Sequence, residues 1–135
     1  MLDIVHSAAI LLYGPMAGYA LLAVIAAPHA IRRRPLPGWF WTLSLAGVIL
    51  VTIQGAAGTL LVLGGARPRQ SLHLLYGLLV LAVGLIQYGL RPAGFFRRAF
   101  VREMTWGEAR TLALVSLTQA ALIARAVMTG LGDQR

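Results

Sequence analysis

The sequence contains no cysteine and no lysine, and only 12% of its residues are charged. Without cysteine the chain can form no disulfide, no thiolate metal site and no cysteine nucleophile. Soluble domains average about 25% charged residues. Because this chain has half that share and is 59% hydrophobic, its composition indicates a protein whose solvent is lipid.

The net charge of +8 comes entirely from arginine. The arginines lie in short loops between apolar runs, a pattern that the positive-inside rule of membrane proteins explains better than nucleic-acid binding does. We therefore expect a lipid bilayer as the partner and no nucleic acid. Arginine without lysine, with abundant Ala, Leu, Gly and Val, is also typical of GC-rich bacterial genes, which suggests a bacterial inner membrane.

Four apolar runs reach the length of about 20 residues that a helix needs to cross a bilayer. They cover about residues 4–27, 39–64, 72–90 and 108–131. Trp39, Trp41 and Trp106 lie near their ends, as in the aromatic belts of membrane proteins. Short loops favour antiparallel neighbours. The sequence thus predicts an all-α integral membrane protein in which residues 1–135 form a single domain, a four-helix up-down transmembrane bundle.

Arginine is distributed unequally between the two sides of this bundle. Eight arginines lie in the loops after the first and third spans: Arg32, Arg33, Arg34, Arg91, Arg97, Arg98, Arg102 and Arg110. Four belong to the other side: Arg67, Arg69, Arg125 and Arg135. Because cytoplasmic loops are enriched in arginine, both termini are predicted to be extracytoplasmic. Asp3 before the first span, with no basic residue, favours a retained helix over a cleaved secretory signal.

Local signals predict where the spans begin and end. Pro28 is expected to break the chain after the first span. The T-W-G-E pattern of residues 105–108 resembles a capping box and predicts the start of the fourth span. Over residues 95–104, aromatic residues and methionine recur at a spacing of four, with arginines on other faces. This pattern predicts either a short cytoplasmic interfacial helix against anionic headgroups or a basic loop with aromatic anchors.

Polar residues at membrane depth are costly and often functional. Here they are few, chiefly His6, Gln54, His73, Gln87, Gln119 and Arg125. His6 and His73 begin two spans that both start at the predicted outer face, so we expect them at similar depth. His73 shares a helical stripe with Tyr76, Gly77, Val80, Gly84 and Gln87. His6 shares a stripe with Ala9, Ile10, Tyr13 and Ala17. Small residues beside a histidine leave room for a flat group.

This arrangement predicts a bis-histidine haem b, with His6 and His73 as the metal ligands. A haem needs axial nitrogen ligands, an apolar slot and cations for its propionates, and four-helix bundles commonly hold cofactors between facing helices. The other predicted cofactor-binding residues are Gln54, Tyr76, Gly77, Arg67, Arg69 and Arg125. The alternative is that the histidines only hydrogen-bond water or headgroups at the interface.

The stretch from Gln54 to Gly58, Q-G-A-A-G, ends in a Gly/Pro turn and is followed by Leu72-His73. This order resembles one four-helix unit of the haem A synthase family, in which a Q-G-x-x-G helix precedes a helix that opens with a haem-ligating histidine. The resemblance covers about 30 residues and implies a haem-binding bundle with His73 as one ligand. The family's acidic-histidine motif is absent, because Ser71-Leu72 precede His73, so the resemblance implies no haem hydroxylation.

Three functions remain open from sequence. The first is a small membrane cytochrome b for electron transfer, or a haem-handling accessory subunit of a respiratory complex. The second is a non-catalytic structural subunit or scaffold of a larger membrane assembly, with membrane-protein partners or as a homo-oligomer. The third is a small oligomeric transporter or channel, although no acidic residue is expected deep within the membrane core. The chain has no Ser-His-Asp arrangement, HExxH motif or P-loop, so catalytic residues are not expected.

Overall fold

A computed structural model describes residues 9–66, 71–100 and 107–131. Every secondary-structure element in these ranges is helical: α1 (Ala9–Ile31), α2 (Gly38–Leu63), α3 (Ser71–Gly89), α4 (Arg97–Phe100) and α5 (Glu108–Leu131). The four long helices are each long and apolar enough to cross a membrane. The predicted all-helical membrane architecture with four spans is therefore confirmed.

The first span ends later than its proline predicts. Helix α1 continues through Pro28 to Ile31, so the prediction that Pro28 breaks the chain is wrong. A proline lacks its own N–H but still accepts, and the Pro28 carbonyl accepts a bond from the Arg32 N–H at 3.0 Å. The helix ends where Arg33 adopts a left-handed φ of 51°. His29, in the last turn of α1, donates from Nδ1 to the carbonyl of Pro35 in the following loop at 2.8 Å.

The connection from α3 to α5 is held by an aromatic contact and an ion pair. Phe96 packs so closely on Gly89 that a Cβ there would overlap its ring. Arg97 Nη1 lies 2.6 Å from Glu108 Oε1, which ties α4 to the first residue of α5. The described part of the predicted interfacial helix is α4, since residues 101–106 lie outside the described ranges, as do Thr105 and Trp106 of the predicted capping box.

The four long helices pack as a closed ring in the order α1, α2, α3, α5, with the most extensive contact between α1 and α5. Hydrogen bonds show how α3 and α5 run. The α3 residues 73, 80 and 87 are bonded to the α5 residues 126, 119 and 116 respectively. Because one set of numbers rises while the other falls, these two helices are antiparallel.

Contacts at two glycines show that α2 and α3 are antiparallel as well. A Cβ on Gly55 would lie 2.9 Å from Leu81. A Cβ on Gly84 would lie 3.6 Å from Val48, so α2 and α3 are also antiparallel. We call the end with the start of α3 and the ends of α2 and α5 the histidine end. The opposite end is called the arginine end.

A single tyrosine fills the centre of the ring. Tyr19 on α1 is fully buried, and its ring lies over Gly47 on α2, where a Cβ would be 3.0 Å from two ring carbons. Its hydroxyl reaches α3, where a Cβ on Gly84 would be 3.5 Å away. Two glycines on facing helices therefore make the space for one aromatic side chain, as small residues do in membrane bundles.

Large apolar side chains cover the outside of the bundle. Ile10 is 75% exposed, Leu78 is 66% exposed and Met128 is 63% exposed. In water such a surface would drive association, whereas in a bilayer the acyl chains cover it. The distribution of exposed apolar residues is that of a membrane-embedded bundle.

The tyrosine contact generates a stability prediction. Gly47→Leu should lower the free energy of unfolding by about 1–3 kcal/mol, because an added side chain must displace the Tyr19 ring in a filled core. The matched control is Gly18→Leu on α1, where nothing lies within 4 Å of an added Cβ. Unfolding in mixed detergent micelles measures both. Equal stability of the two variants would show that Tyr19 does not lie over Gly47.

Candidate functional site

His73 lies near the start of α3, half-buried and turned towards α5. Its Nδ1 atom is 3.0 Å from the carbonyl oxygen of Ala126. A carbonyl oxygen can only accept, so Nδ1 is the donor of this bond. A histidine that ligates a metal through one nitrogen usually donates from the other to a carbonyl or carboxylate.

The end of α5 is shaped to receive this ring. A Cβ on Gly130 would lie 3.0 Å from His73 Cε1 and 3.3 Å from its Nδ1, so only glycine leaves room for the imidazole there. The Thr129 hydroxyl donates to the same Ala126 carbonyl at 3.0 Å. Ala126, Thr129 and Gly130 together fix both the position and the orientation of the His73 ring.

The predicted stripe on α3 faces the inside of the bundle. Val80, Gly84 and Gln87 are buried, and Tyr76 and Gly77 are half-buried. Residues seven apart share a helix face, so Gly77 lies on the same inward face as Gly84. Nothing lies within 4 Å of a Cβ on Gly77. The inward face of α3 thus borders open space one turn below His73.

Two further predicted residues lie at the same end. Gln54 on α2 is half-buried, and it lies seven residues beyond Gly47, just as Gly77 lies seven residues before Gly84. In antiparallel helices both residues are therefore about 10 Å from the central tyrosine towards the histidine end. The Arg125 guanidinium lies 5.9 Å from the centroid of the Tyr76 ring. His73, Tyr76, Gly77 and Arg125 are thus neighbours.

Three predicted site residues, His6, Arg67 and Arg69, lie outside the described residues. The described members of the His6 stripe can be placed: Ala9, Ile10, Tyr13 and Ala17 are all exposed on the outer surface of α1. The stripe that contains His73 therefore faces into the bundle, whereas the described part of the α1 stripe faces out.

The structure adds a polar centre that the sequence interpretation only partly found. Gln119 Nε2 donates to the Val80 carbonyl at 2.7 Å, and Gln87 Nε2 donates to the Ser116 hydroxyl at 2.9 Å. Sequence reasoning named the two glutamines as deep polar residues. It missed the other members, Tyr19, Ser44 and Ser116, which are also fully buried. Tyr19 lies seven residues before Ala26, Ser44 three before Gly47 and Ser116 four before Ala120, and this spacing from buried small residues was the available signal.

The histidine end combines one oriented imidazole, a glycine with nothing within 4 Å of an added Cβ, and a nearby arginine. The polar centre supplies only neutral hydrogen-bonding groups. Comparison of the chain with protein-family models, with curated proteins and with solved structures finds no match. The functional argument therefore depends on the geometry of the residues themselves.

The hydrogen bond from Gln87 on α3 to Ser116 on α5 generates a second prediction. Ser116→Ala leaves the buried Gln87 amide without its acceptor and should cost about 1–3 kcal/mol of unfolding free energy. Adding Gln87→Leu removes the donor as well, so the double variant should regain most of that loss. Thr118→Val, on the exposed side of α5, is the control for the loss of a hydroxyl. If the double variant were less stable than Ser116→Ala, the proposed pairing would be wrong.

Proposed function

We propose that the protein is a haem b protein of a cell membrane, acting in electron transfer or as a haem-handling accessory subunit of a respiratory complex. The observation that carries the proposal is the orientation of His73. Its Nδ1 atom donates to the Ala126 carbonyl at 3.0 Å, the bond to a carbonyl that metal-ligating histidines usually make with their other nitrogen. The resemblance of residues 54–58 and 72–73 to a haem A synthase unit supports the same ligand.

The residues at the histidine end fit a haem in three respects. His73 supplies an oriented axial nitrogen. Gly77 borders open space on the inward face of α3, so a flat macrocycle meets no side chain there. Arg125 supplies a guanidinium for a propionate at the same end of the bundle. His6 is the proposed second ligand, and Arg67 and Arg69 are proposed as further propionate partners.

A bound haem would supply one-electron chemistry, with its potential set by the axial ligands and the polarity around it. The chain's own contribution is to hold and orient the group. Gly130 and Ala126 fix the position of the His73 ring. Within the described ranges Glu108 is the only carboxylic acid, and it is paired with Arg97 at the arginine end.

The orientation in the membrane follows from the arginine distribution. We propose that the arginine end lies in the cytoplasm and the histidine end on the outer side, with both termini outside in an up-down bundle of a bacterial inner membrane. The antiparallel pairs α2 with α3 and α3 with α5 support the up-down order. The haem would then lie in the outer half of the bilayer.

This orientation can be tested directly, because the chain has no cysteine of its own. Ala66→Cys, in the turn at the histidine end, should react with a membrane-impermeant maleimide in intact spheroplasts. Arg34→Cys, in the turn at the arginine end, should react only after the membrane is opened. Both positions are exposed, so each serves as the accessibility control for the other. The reverse labelling pattern would place the histidine end in the cytoplasm.

The ligand assignment is tested by optical spectroscopy of protein purified after expression with ample haem. The native chain should show a Soret band that shifts on reduction. His73→Ala should lower the haem occupancy about tenfold or more, which corresponds to about 1.4 kcal/mol of binding free energy. His29→Ala is the control, because His29 bonds Pro35 at the arginine end and should leave the spectrum unchanged. His6→Ala tests the second ligand in the same way.

One substitution on α5 tests whether this helix positions the His73 ring. Gly130→Val should displace the His73 ring and weaken haem binding without removing a ligand atom. A folded native protein with no Soret band would contradict the haem proposal. It would then favour the structural subunit of a larger membrane assembly, for which the exposed outer face of α1, with Ala17 and Gly18, offers a packing surface.

A further inference from the structure

The centre of the bundle contains polar atoms that the described residues leave without a hydrogen bond. They are the Tyr19 hydroxyl, the Ser44 hydroxyl, and the Oε1 atoms of Gln87 and Gln119. All four side chains are 0% exposed. The Tyr19 hydroxyl faces the Gln119 amide, but the geometry between them is not that of a hydrogen bond. The four atoms come from all four long helices.

These residues occupy two neighbouring levels of the same ring. Tyr19, Gly47, Gly84 and Gln119 form the first level, where a Cβ on Gly84 would be 3.2 Å from Gln119 Nε2 and 3.5 Å from the Tyr19 hydroxyl. Ser44 precedes Gly47 by three residues, and Gln87 follows Gly84 by three. Because α2 and α3 are antiparallel, both displacements are about 5 Å towards the arginine end. The four atoms thus form one polar centre.

An unpaired polar group in the hydrocarbon of a bilayer costs several kcal/mol, and a fully buried one cannot reach bulk water. Two of the four atoms are amide oxygens that only accept, and two are hydroxyls that both donate and accept. A bare cation would need a negative ligand to offset its dehydration, and the one acidic residue of the described helices, Glu108, is paired with Arg97 at the arginine end. A water molecule matches this mixed set of donors and acceptors, with the two to four partners that buried waters use.

We propose that the polar centre is a binding site for internal water, held by Tyr19, Ser44, Gln87 and Gln119 at mid-membrane depth. The water bridges α1 and α2 to the amide pair that already joins α3 to α5. This site is separate from the histidine end and does not depend on the haem proposal.

Proton-detected solid-state NMR of the isotope-labelled protein in bilayers tests the site. Magnetisation from water should reach the Nε2H₂ groups of Gln119 and Gln87 within the mixing time that reaches surface amides. Substitution of each glutamine by leucine assigns its signal. The buried backbone amide of Leu112, which lies in the apolar core, is the control and should receive none. Absence of transfer to both glutamines would overturn the proposal, since Tyr19 and Gln119 would then be bonded directly.

A second measurement uses the sign of a stability change. Ser44→Ala should lower the midpoint of thermal unfolding by about 2–4 °C, because it removes a hydroxyl that holds the water. Thr52→Val on the same helix is the control, since the Thr52 hydroxyl bonds its own helix at Val48. An increase in the midpoint for Ser44→Ala would mean that the hydroxyl was unpaired, which would overturn the proposal.

The same two measurements distinguish water from a cation. Both should be unchanged when sodium in the buffer is replaced by choline. A loss of stability in choline that the Gln119→Leu variant does not show would identify a sodium site and reject water as the ligand.

Discussion

The bundle depends on the packing of one tyrosine, Tyr19, against glycines on two other helices. In lipid the hydrophobic effect does not hold helices together, so close packing and internal hydrogen bonds must. Tyr19 provides both, because its ring lies over Gly47 while its hydroxyl reaches towards Gly84. Gln119 bonds α3 at the depth of Tyr19, and Gln87 bonds α5 about one turn closer to the arginine end. The contact of α1 with α2 and the bonds between α3 and α5 thus lie at neighbouring levels of the bundle.

Hydropathy was sufficient to find the four spans, because each must bury its backbone polar groups over a bilayer thickness. Helix ends followed less directly. Pro28 reads as a break in sequence, yet α1 passes through it, since proline removes only one donor and the bond from Arg32 and the His29 side chain complete the last turn. Hydropathy contains no information about these bonds, which involve the backbone N–H of Arg32 and the side chain of His29.

The candidate site was only partly predictable for a related reason. Periodicity placed His73 on a stripe with Gly77 and Gly84, and that stripe faces inward. The same reasoning gave the stripe of Ile10 and Tyr13 on α1, which faces outward. A period of 3.6 shows which residues share a face but not which way that face is turned. For nearly uniform apolar helices the rotation is set by a few close contacts, such as that of Tyr19 with Gly47.

The helices also differ in length, and the difference lies at one end. Helix α2 has 26 residues and α3 has 19. Counted from the contact between Val48 and Gly84, α2 extends ten residues towards the arginine end and α3 only five, a difference of about 7 Å. The hydrophobic mismatch is therefore one-sided. A bilayer as thick as α2 is long would exceed α3 by that amount on the arginine side, where hydrophobic mismatch favours local thinning of the lipid.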